Sequence, residues 1–418
     1  MALDGGPQLS QPVAGAASFD RMWAELTPVG RAAATGGYRR FAWTTVDSTL
    51  REWFTAEAGR RGLDVVRDRA GNQWAWWGNP ASVPGGGVVI GSHLDSVPDG
   101  GAFDGPLGVV SSFAALDSLR AQGFAPSRPI AVVNFGDEEG ARFGIACAGS
   151  RLITGALSAD RARALRDADG TSLADAMSGA GFDPTQVGAD DETLGRIGCF
   201  VELHVEQGRG LIDLGQPVAV SSQIWPHGRW RIELPGEANH AGTTRLVDRH
   251  DPMLACAELI LAARQAAQRH GSVATMGKVS IQPNGVNAIA SHVTAWLDAR
   301  GADPDAVRAV VDELAGLATA ADGSLELESW TDSTVFDAGL SDRVRAVLPD
   351  APVLSTGAGH DAGILANAGV PTTMLFVRNP TGVSHSPVEH AETDDCHRGV
   401  DALAAVVAEL AGPPATVR

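Results

Sequence analysis

Apolar residues along this chain fall into two kinds of pattern. Unbroken runs at 88–92, 130–135, 198–203 and 372–377 predict strands buried on both faces. Helical spacing marks 44–62 (Val46, Leu50, Trp53, Phe54, Ala58), 106–123 (Val109, Val110, Phe113, Ala114, Leu116, Leu119) and 397–410. Two shorter strands, 64–68 and 73–77, flank Gly71-Asn72 as a hairpin. Strands that alternate with helices predict an α/β fold, a doubly wound and mostly parallel sheet. The stretch 151–196 is polar and helical, with capping residues. Near Gly215-Gln216-Pro217 the character changes to an α+β pattern, with strands at 229–234, 273–282 and 292–299 and helices at 252–269 and 304–321. Asp303 and Pro304 form an N-cap and first-turn pair for the last of these. The α/β pattern then returns, with a strand near 352–354. Residues 19–216 and 331–418 therefore read as one domain, 217–330 as a domain inserted into it, and 1–18 as a disordered leader.

Composition narrows the function classes. A length of 418 residues suits two domains. A net charge of -18 argues against nucleic acid or an anionic membrane as a partner. The leader has neither a basic nor an apolar region, so it does not read as a signal peptide. No apolar run approaches the ~18 residues of a membrane span. Four cysteines lie far apart with no CxxC pair, which fits a reducing cytoplasm and excludes a thiolate cluster read from spacing.

The polar residues that matter sit where apolar strands end. His93 and Asp104 bracket one strand–loop–helix unit; Glu138-Glu139 follow the next strand; His204 and Glu206 follow another; His385 lies in Gly382-Val383-Ser384-His385-Ser386-Pro387. A doubly wound sheet gathers such ends along one crevice. Singly, each has an ordinary structural reading, since histidines often cap elements and Glu-Glu pairs are mostly solvated. Together they suit a hydrolytic site for Zn²⁺, Mn²⁺, Co²⁺ or Ni²⁺. A carboxylate shared by two ions gives a two-metal centre. In the Glu138-Glu139 pair, one residue can bind metal while the other serves as general base.

The motifs GSHLDSVPDGGAFDG, DEEGARFG, ELHVEQG, NHAGTT, GAGHDAG and GVSHSP, in order from about residue 20 to 410, resemble the metal-dependent amidohydrolases that include N-carbamoyl-L-amino acid hydrolase, allantoate amidohydrolase and β-ureidopropionase, within the dinuclear metallopeptidase–aminoacylase group. The resemblance implies a homodimer of two-domain chains, with a catalytic dinuclear-metal domain and an inserted dimerisation and lid domain. It implies two divalent ions: one on His93 and His204, the other on Glu139 and His385, with Asp104 as the bridge. It makes Glu138 the general base acting on a metal-bridging water, and Asp95 the carboxylate that orients His93. His240, reaching the site from across the dimer, becomes the oxyanion donor, Asn287 and Arg300 the holders of a substrate carboxylate, and Gln207 and His360 further pocket groups. The implied reaction is hydrolysis of a ureido or amide C–N bond in a small carboxylate, an N-carbamoyl-L-amino acid or allantoate. An aminoacylase or dipeptidase on the same scaffold is the rival, and His204 in HVEQG counts against it. A metal-binding protein without activity is disfavoured by the intact base, and a serine hydrolase by the lack of a GxSxG elbow.

Three stretches depart from the family's usual pattern. Arg245-Leu246 follow the His240 motif where Pro-Met is common. Trp225-Pro226-His227-Gly228 stands where allantoate enzymes tend to have a Gln, which brings His227 into the substrate set. Arg378-Asn379-Pro380 precedes the last histidine motif. All three bear on substrate choice.

Overall fold

The apolar runs become the inner strands of one sheet in a computed structural model, which describes residues 14–413. Its strands are β1 (Asp64–Arg67), β2 (Gln73–Trp77), β3 (Gly87–His93), β4 (Ile130–Phe135), β5 (Ile197–Val205), β6 (Val218–Ile224), β7 (His227–Pro235), β8 (Asn239–His240), β9 (Val273–Gln282), β10 (Ala288–Ile289), β11 (His292–Arg300), β12 (Ser324–Thr331), β13 (Thr334–Val335), β14 (Val353–Thr356) and β15 (Thr372–Val377). The large sheet runs β1-β2-β4-β3-β5-β15-β6. Its centre, β4, β3, β5 and β15, is parallel. The hairpin β1–β2 and strand β6 add antiparallel edges. Every residue of β3, β4 and β15 is buried, as unbroken apolar runs require when helices cover both faces. The expected mixed α/β class, with a mostly parallel central sheet, is borne out.

Helix Pro106–Ala121 follows the loop that carries Asp104. Proline occupies its first turn, and its Val109, Val110, Phe113 and Leu116 join Leu403 and Val407 of helix Thr393–Ala411 in the main core. The chain divides into two compact units. One holds residues up to Ser222, Phe336–Leu354 and from Gly359 onward; the other holds Gln223–Val335 and Ser355–Ala358. In the second unit, β12-β7-β11-β9 form an antiparallel sheet. Val293, Ala295, Leu297 and Ala299 alternate inward from β11 onto a separate core with helices Pro252–His270 and Pro304–Ala320. Asp251 and Asp303 cap those helices, each with proline in the first turn.

Several elements differ from the patterning. Helix Ala14–Leu26 begins inside the stretch read as leader, and the Ser18 hydroxyl donates to Asp117 at 2.5 Å. The rest of that stretch, residues 1–13, lies outside the described residues. Strand β12 is mostly exposed, and the alternation of Leu325 and Leu327 with Glu326 and Glu328 breaks at a bulge before Ser329. The polar stretch 151–196 breaks into short helices capped by Ser158, Ser172 and Asp190. The last helix begins at Thr393 rather than at 397.

Candidate metal centre

Strand β3 delivers His93 to the end of the sheet, fully buried. Its Nδ1 lies 3.2 Å from the Asp95 carbonyl oxygen and 3.5 Å from Asp95 Oδ1, so Nε2 faces away from the backbone. The Asp95 carboxylate has a second task. Its oxygens accept the backbone N–H groups of Glu138 (3.1 Å) and Glu139 (3.0 Å), fastening the turn after β4 to the end of β3. Gly105, with φ +87°, passes so close to His93 that a Cβ there would lie 2.4 Å from the ring. This glycine lets the Asp104 loop close over the imidazole.

Asp104 is the centre of the arrangement. Its Oδ1 lies 3.2 Å from His204 Nε2 and 3.7 Å from His93 Nε2, while Oδ2 lies 3.4 Å from His385 Nε2. His385 Nε2 is in turn 3.6 Å from Glu139 Oε2. Two ligand groups result, His93–Asp104–His204 and Asp104–Glu139–His385, each with donor atoms within 4.8 Å of one another. They share Asp104. Residues 292 positions apart in the sequence, His93 and His385, thus meet on the same carboxylate.

Whether such a group suits cations can be judged from its unpaired atoms. Among the described residues, His93 Nε2 and Glu139 Oε1 are buried with no hydrogen-bond partner, and His204 Nε2 faces only Asp104 Oδ1. Buried polar atoms in native folds are nearly always paired, and these three face the same cluster. His204 Nδ1 lies 2.9 Å from the Val205 carbonyl, which leaves Nε2 with its lone pair free. The charges agree. Burial, together with Asp104, pushes Glu139 up to about 8, and burial drives Glu138 well above the usual carboxylate range. Asp104, although burial opposes its charge, is held below that range by His204, His93 and His385. Although burial opposes it, Glu138 and Asp95 raise His93 and Asp104 raises His204, so imidazoles and carboxylates are crowded together here as a donor set that suits divalent cations.

Glu138 stands apart from both ligand groups. Its Oε1 accepts the Cys147 thiol at 3.2 Å and its Oε2 lies 3.8 Å from His93 Nε2. The adjacent glutamates therefore do point differently, Glu139 to the shared cluster and Glu138 beside it.

The other sequence-derived residues divide. Gln207 Nε2 donates to Asp104 Oδ2 (2.9 Å) and to Ser384 Oγ (3.0 Å), so it braces the shared carboxylate. His360 is buried with its ring 4.5 Å from that of His204; burial and His204 hold its pKa well below that of a free histidine. Glu206 accepts the N–H groups of Gly210 and Leu211, which caps a turn and leaves it out of both groups. In the second unit, His240 pairs with Ala288 across β8 and β10, beside Asn287, and its Nδ1 accepts the Gly242 N–H at 3.0 Å. His227 and Arg300 are cross-strand partners on β7 and β11. The Arg300 guanidinium grips Asp298 at 2.7 and 3.0 Å and the Gly357 carbonyl at 2.9 Å. Of the departures, Arg378 is committed to Asp395 (2.8 and 2.9 Å) and Arg245 to Asp248.

Sequence reasoning passed over Glu202, Cys147, Ser384 and Glu389. Glu202 lies near His204 and His360 and accepts from Ser92 (2.7 Å) and the Ala362 N–H (3.0 Å). An acid inside strand β5, two residues before His204, was the available signal.

The sheet presents two ligand groups at its strand ends, joined at Asp104, a donor set suited to divalent ions. Comparison agrees. The family model described as Peptidase family M20/M25/M40 matches residues 89–409, and the chain belongs to that family. It is an amidohydrolase, as the resemblance implied. The N-carbamoyl-L-amino acid amidohydrolase of Geobacillus stearothermophilus is 35% identical over 94% of this chain and 98% of its own. The allantoate amidohydrolase of Escherichia coli (strain K12) is 33% identical over 90% of this chain and 93% of its own. A crystal structure of a hydantoinase/carbamoylase family amidase from Burkholderia multivorans covers 95% of this chain and 98% of its own, with a TM-score of 0.82 and 28% identity.

Proposed function

We propose that this chain hydrolyses the ureido or amide C–N bond of a small carboxylate-bearing substrate, an N-carbamoyl-L-amino acid or allantoate. The observation that carries the reading is the pair of ligand groups joined at Asp104, with Glu138 beside them and outside both. The two named relatives support the substrate class. His93 and His204 would hold one divalent ion, Glu139 and His385 the other, and Asp104 both. Bound ions supply Lewis acidity, acidifying water and polarising the scissile carbonyl. Glu138 takes the proton from the attacking water at Oε2 and delivers it to the leaving nitrogen, while Cys147 keeps Oε1 in place. His240 donates from Nε2 to the developing oxyanion. Asn287, Arg300 and His227 receive the substrate carboxylate, and Arg300 exchanges Asp298 for it. Water adds across the bond, so a carbamoyl amino acid yields the free amino acid, ammonia and CO₂.

The inserted unit serves as lid and dimerisation domain in this reading. Supporting a homodimer are the unpaired sheet edge β9 and the exposed Leu246, Val247, Leu254 and Leu261. Supporting a cytoplasmic setting are four buried, unpaired cysteines. No helix among the described residues is long and apolar enough to cross a membrane.

The test is ammonia release from allantoate and from a panel of N-carbamoyl-L-amino acids, after reconstitution with Mn²⁺, Co²⁺, Ni²⁺ or Zn²⁺. Glu138→Gln should keep its metal and lose about 10²–10⁴-fold in kcat. An active Glu138→Gln protein removes the base assignment, and turnover of N-acetyl amino acids or dipeptides alone removes the substrate class. Sedimentation velocity checks the dimer.

A further inference from the structure

Glu389 lies four residues beyond His385 and is only 4% exposed. Among the described residues, no lysine or arginine pairs with it. A buried carboxylate without a cation is unfavourable unless its oxygens are well used. Here they are. Oε1 accepts the backbone N–H groups of Phe103 (3.0 Å) and Asp104 (2.9 Å), and Oε2 accepts the Ser384 hydroxyl at 3.1 Å. Ser384 Oγ also lies 3.2 Å from Asp104 Oδ2, and Gln207 joins the same two groups. The loop before Asp104 wraps this carboxylate so closely that a Cβ on Gly101 would sit 2.3 Å from Glu389 Oε1. On the other side, the Glu389 N–H closes a turn onto the Ser386 carbonyl (3.0 Å), next to His385, which holds a left-handed φ of +55°.

We infer that Glu389 is a positioning residue for the metal centre: by accepting both amides of Phe103 and Asp104 and the Ser384 hydroxyl, it fixes the Asp104 loop against the His385 loop. The inference rests on the reading of Asp104 and His385 as ligands. The acceptor oxygens matter to this role more than the charge does. A glutamine can accept both amides with its one carbonyl oxygen, and its NH₂ can donate to Ser384 Oγ, whose proton then turns to Asp104 Oδ2.

Glu389→Ala, Glu389→Asp and Glu389→Gln are compared by titrating metal-free protein with Mn²⁺ in a calorimeter, with thermal melts to check folding. Glu389→Ala should weaken Mn²⁺ binding by about 10–100-fold, the range for residues that brace a metal ligand. Glu389→Gln should bind as the parent does. Unchanged affinity in Glu389→Ala overturns the inference, as does an equal loss in Glu389→Gln. If Glu389→Ala does not fold, Glu389→Asp decides, because its carboxylate is one methylene short of both amides: affinity equal to that of Glu389→Gln overturns the inference. Asp104→Ala, measured alongside, tests the ligand reading on its own. Should that variant keep full Mn²⁺ binding, the ligand reading fails. Hydrogen exchange at the Phe103 and Asp104 amides of the metal-free protein then reports on Glu389 directly. Exchange that Glu389→Ala or Glu389→Asp does not accelerate overturns the positioning role.

Discussion

Asp95→Asn separates the orienting of His93, which the family resemblance implies for this carboxylate, from the fastening of the glutamate turn, which the structure adds. In the structure, His93 Nδ1 is closer to the Asp95 carbonyl (3.2 Å) than to its carboxylate (3.5 Å). The imidazole should therefore keep its orientation in Asp95→Asn, because the carbonyl survives. The glutamate turn should not. Each carboxylate oxygen accepts one backbone N–H, from Glu138 and from Glu139. An asparagine offers one oxygen and turns an NH₂ against the other donor, so one buried amide loses its partner. Hydrogen bonds to a charged group are worth about 1.5–3 kcal/mol, and an orphaned buried amide costs about 1–3 kcal/mol more. A total of about 3 kcal/mol in the metal-free protein is the expected loss. Movement of the Glu138 carboxylate by even 1 Å should lower kcat by about 10²-fold. The assay is a melt of the metal-free protein, with kcat and metal content after reconstitution. A melting temperature unchanged from wild type would refute the reasoning. So would a variant that loses metal at His93 and His204 while retaining the glutamate-side ion.

Gly105→Ala should abolish metal loading while the second unit stays folded: its φ of +87° and the 2.4 Å approach to His93 leave no room for a methyl group. Metal content by mass spectrometry and circular dichroism read the two outcomes. Cys147→Ala should reduce kcat by severalfold with little change in KM, and Cys147→Ser should restore it, because either an S–H or an O–H can donate to Glu138 Oε1. A fourth prediction concerns acid stability. Burial opposes the charge on Glu57, but Arg21 and Arg61 outweigh it and hold its pKa below the usual value of 4.5. A depressed carboxylate stabilises the fold above its unfolded pKa, and that stability is lost as pH falls through the folded value. Melting temperatures of Glu57→Gln should thus lie below wild type at pH 7 and converge with it on acidification.

Strands β3, β4 and β15 were readable because burial on both faces demands unbroken apolar runs. Strand β12 was passed over, since its alternation of Leu325 and Leu327 with Glu326 and Glu328 is short and breaks at a bulge before Ser329. In the site, the polar residues at strand ends could be found because each interrupts an apolar run. Their partners could not. Glu389 and Cys147 act on backbone amides or on another side chain, and such contacts leave no local pattern; Asp95 entered only through the family resemblance. Glu206 shows the reverse error: two residues from His204 and of suitable type, it spends its oxygens capping the turn at Gly210.

The span from His93 to His385 also orders events in time. The Asp104–Glu139–His385 group closes only when the segment that carries His385 and Glu389 reaches the Asp104 loop. The second unit has its own sheet and its own core, and both are complete well before that point. Contacts of such long sequence separation form late, since their loop entropy must be met before they return any stability. A chain stopped before His385 thus holds every residue of the second unit's sheet and core, but of the two ligand groups only His93–Asp104–His204.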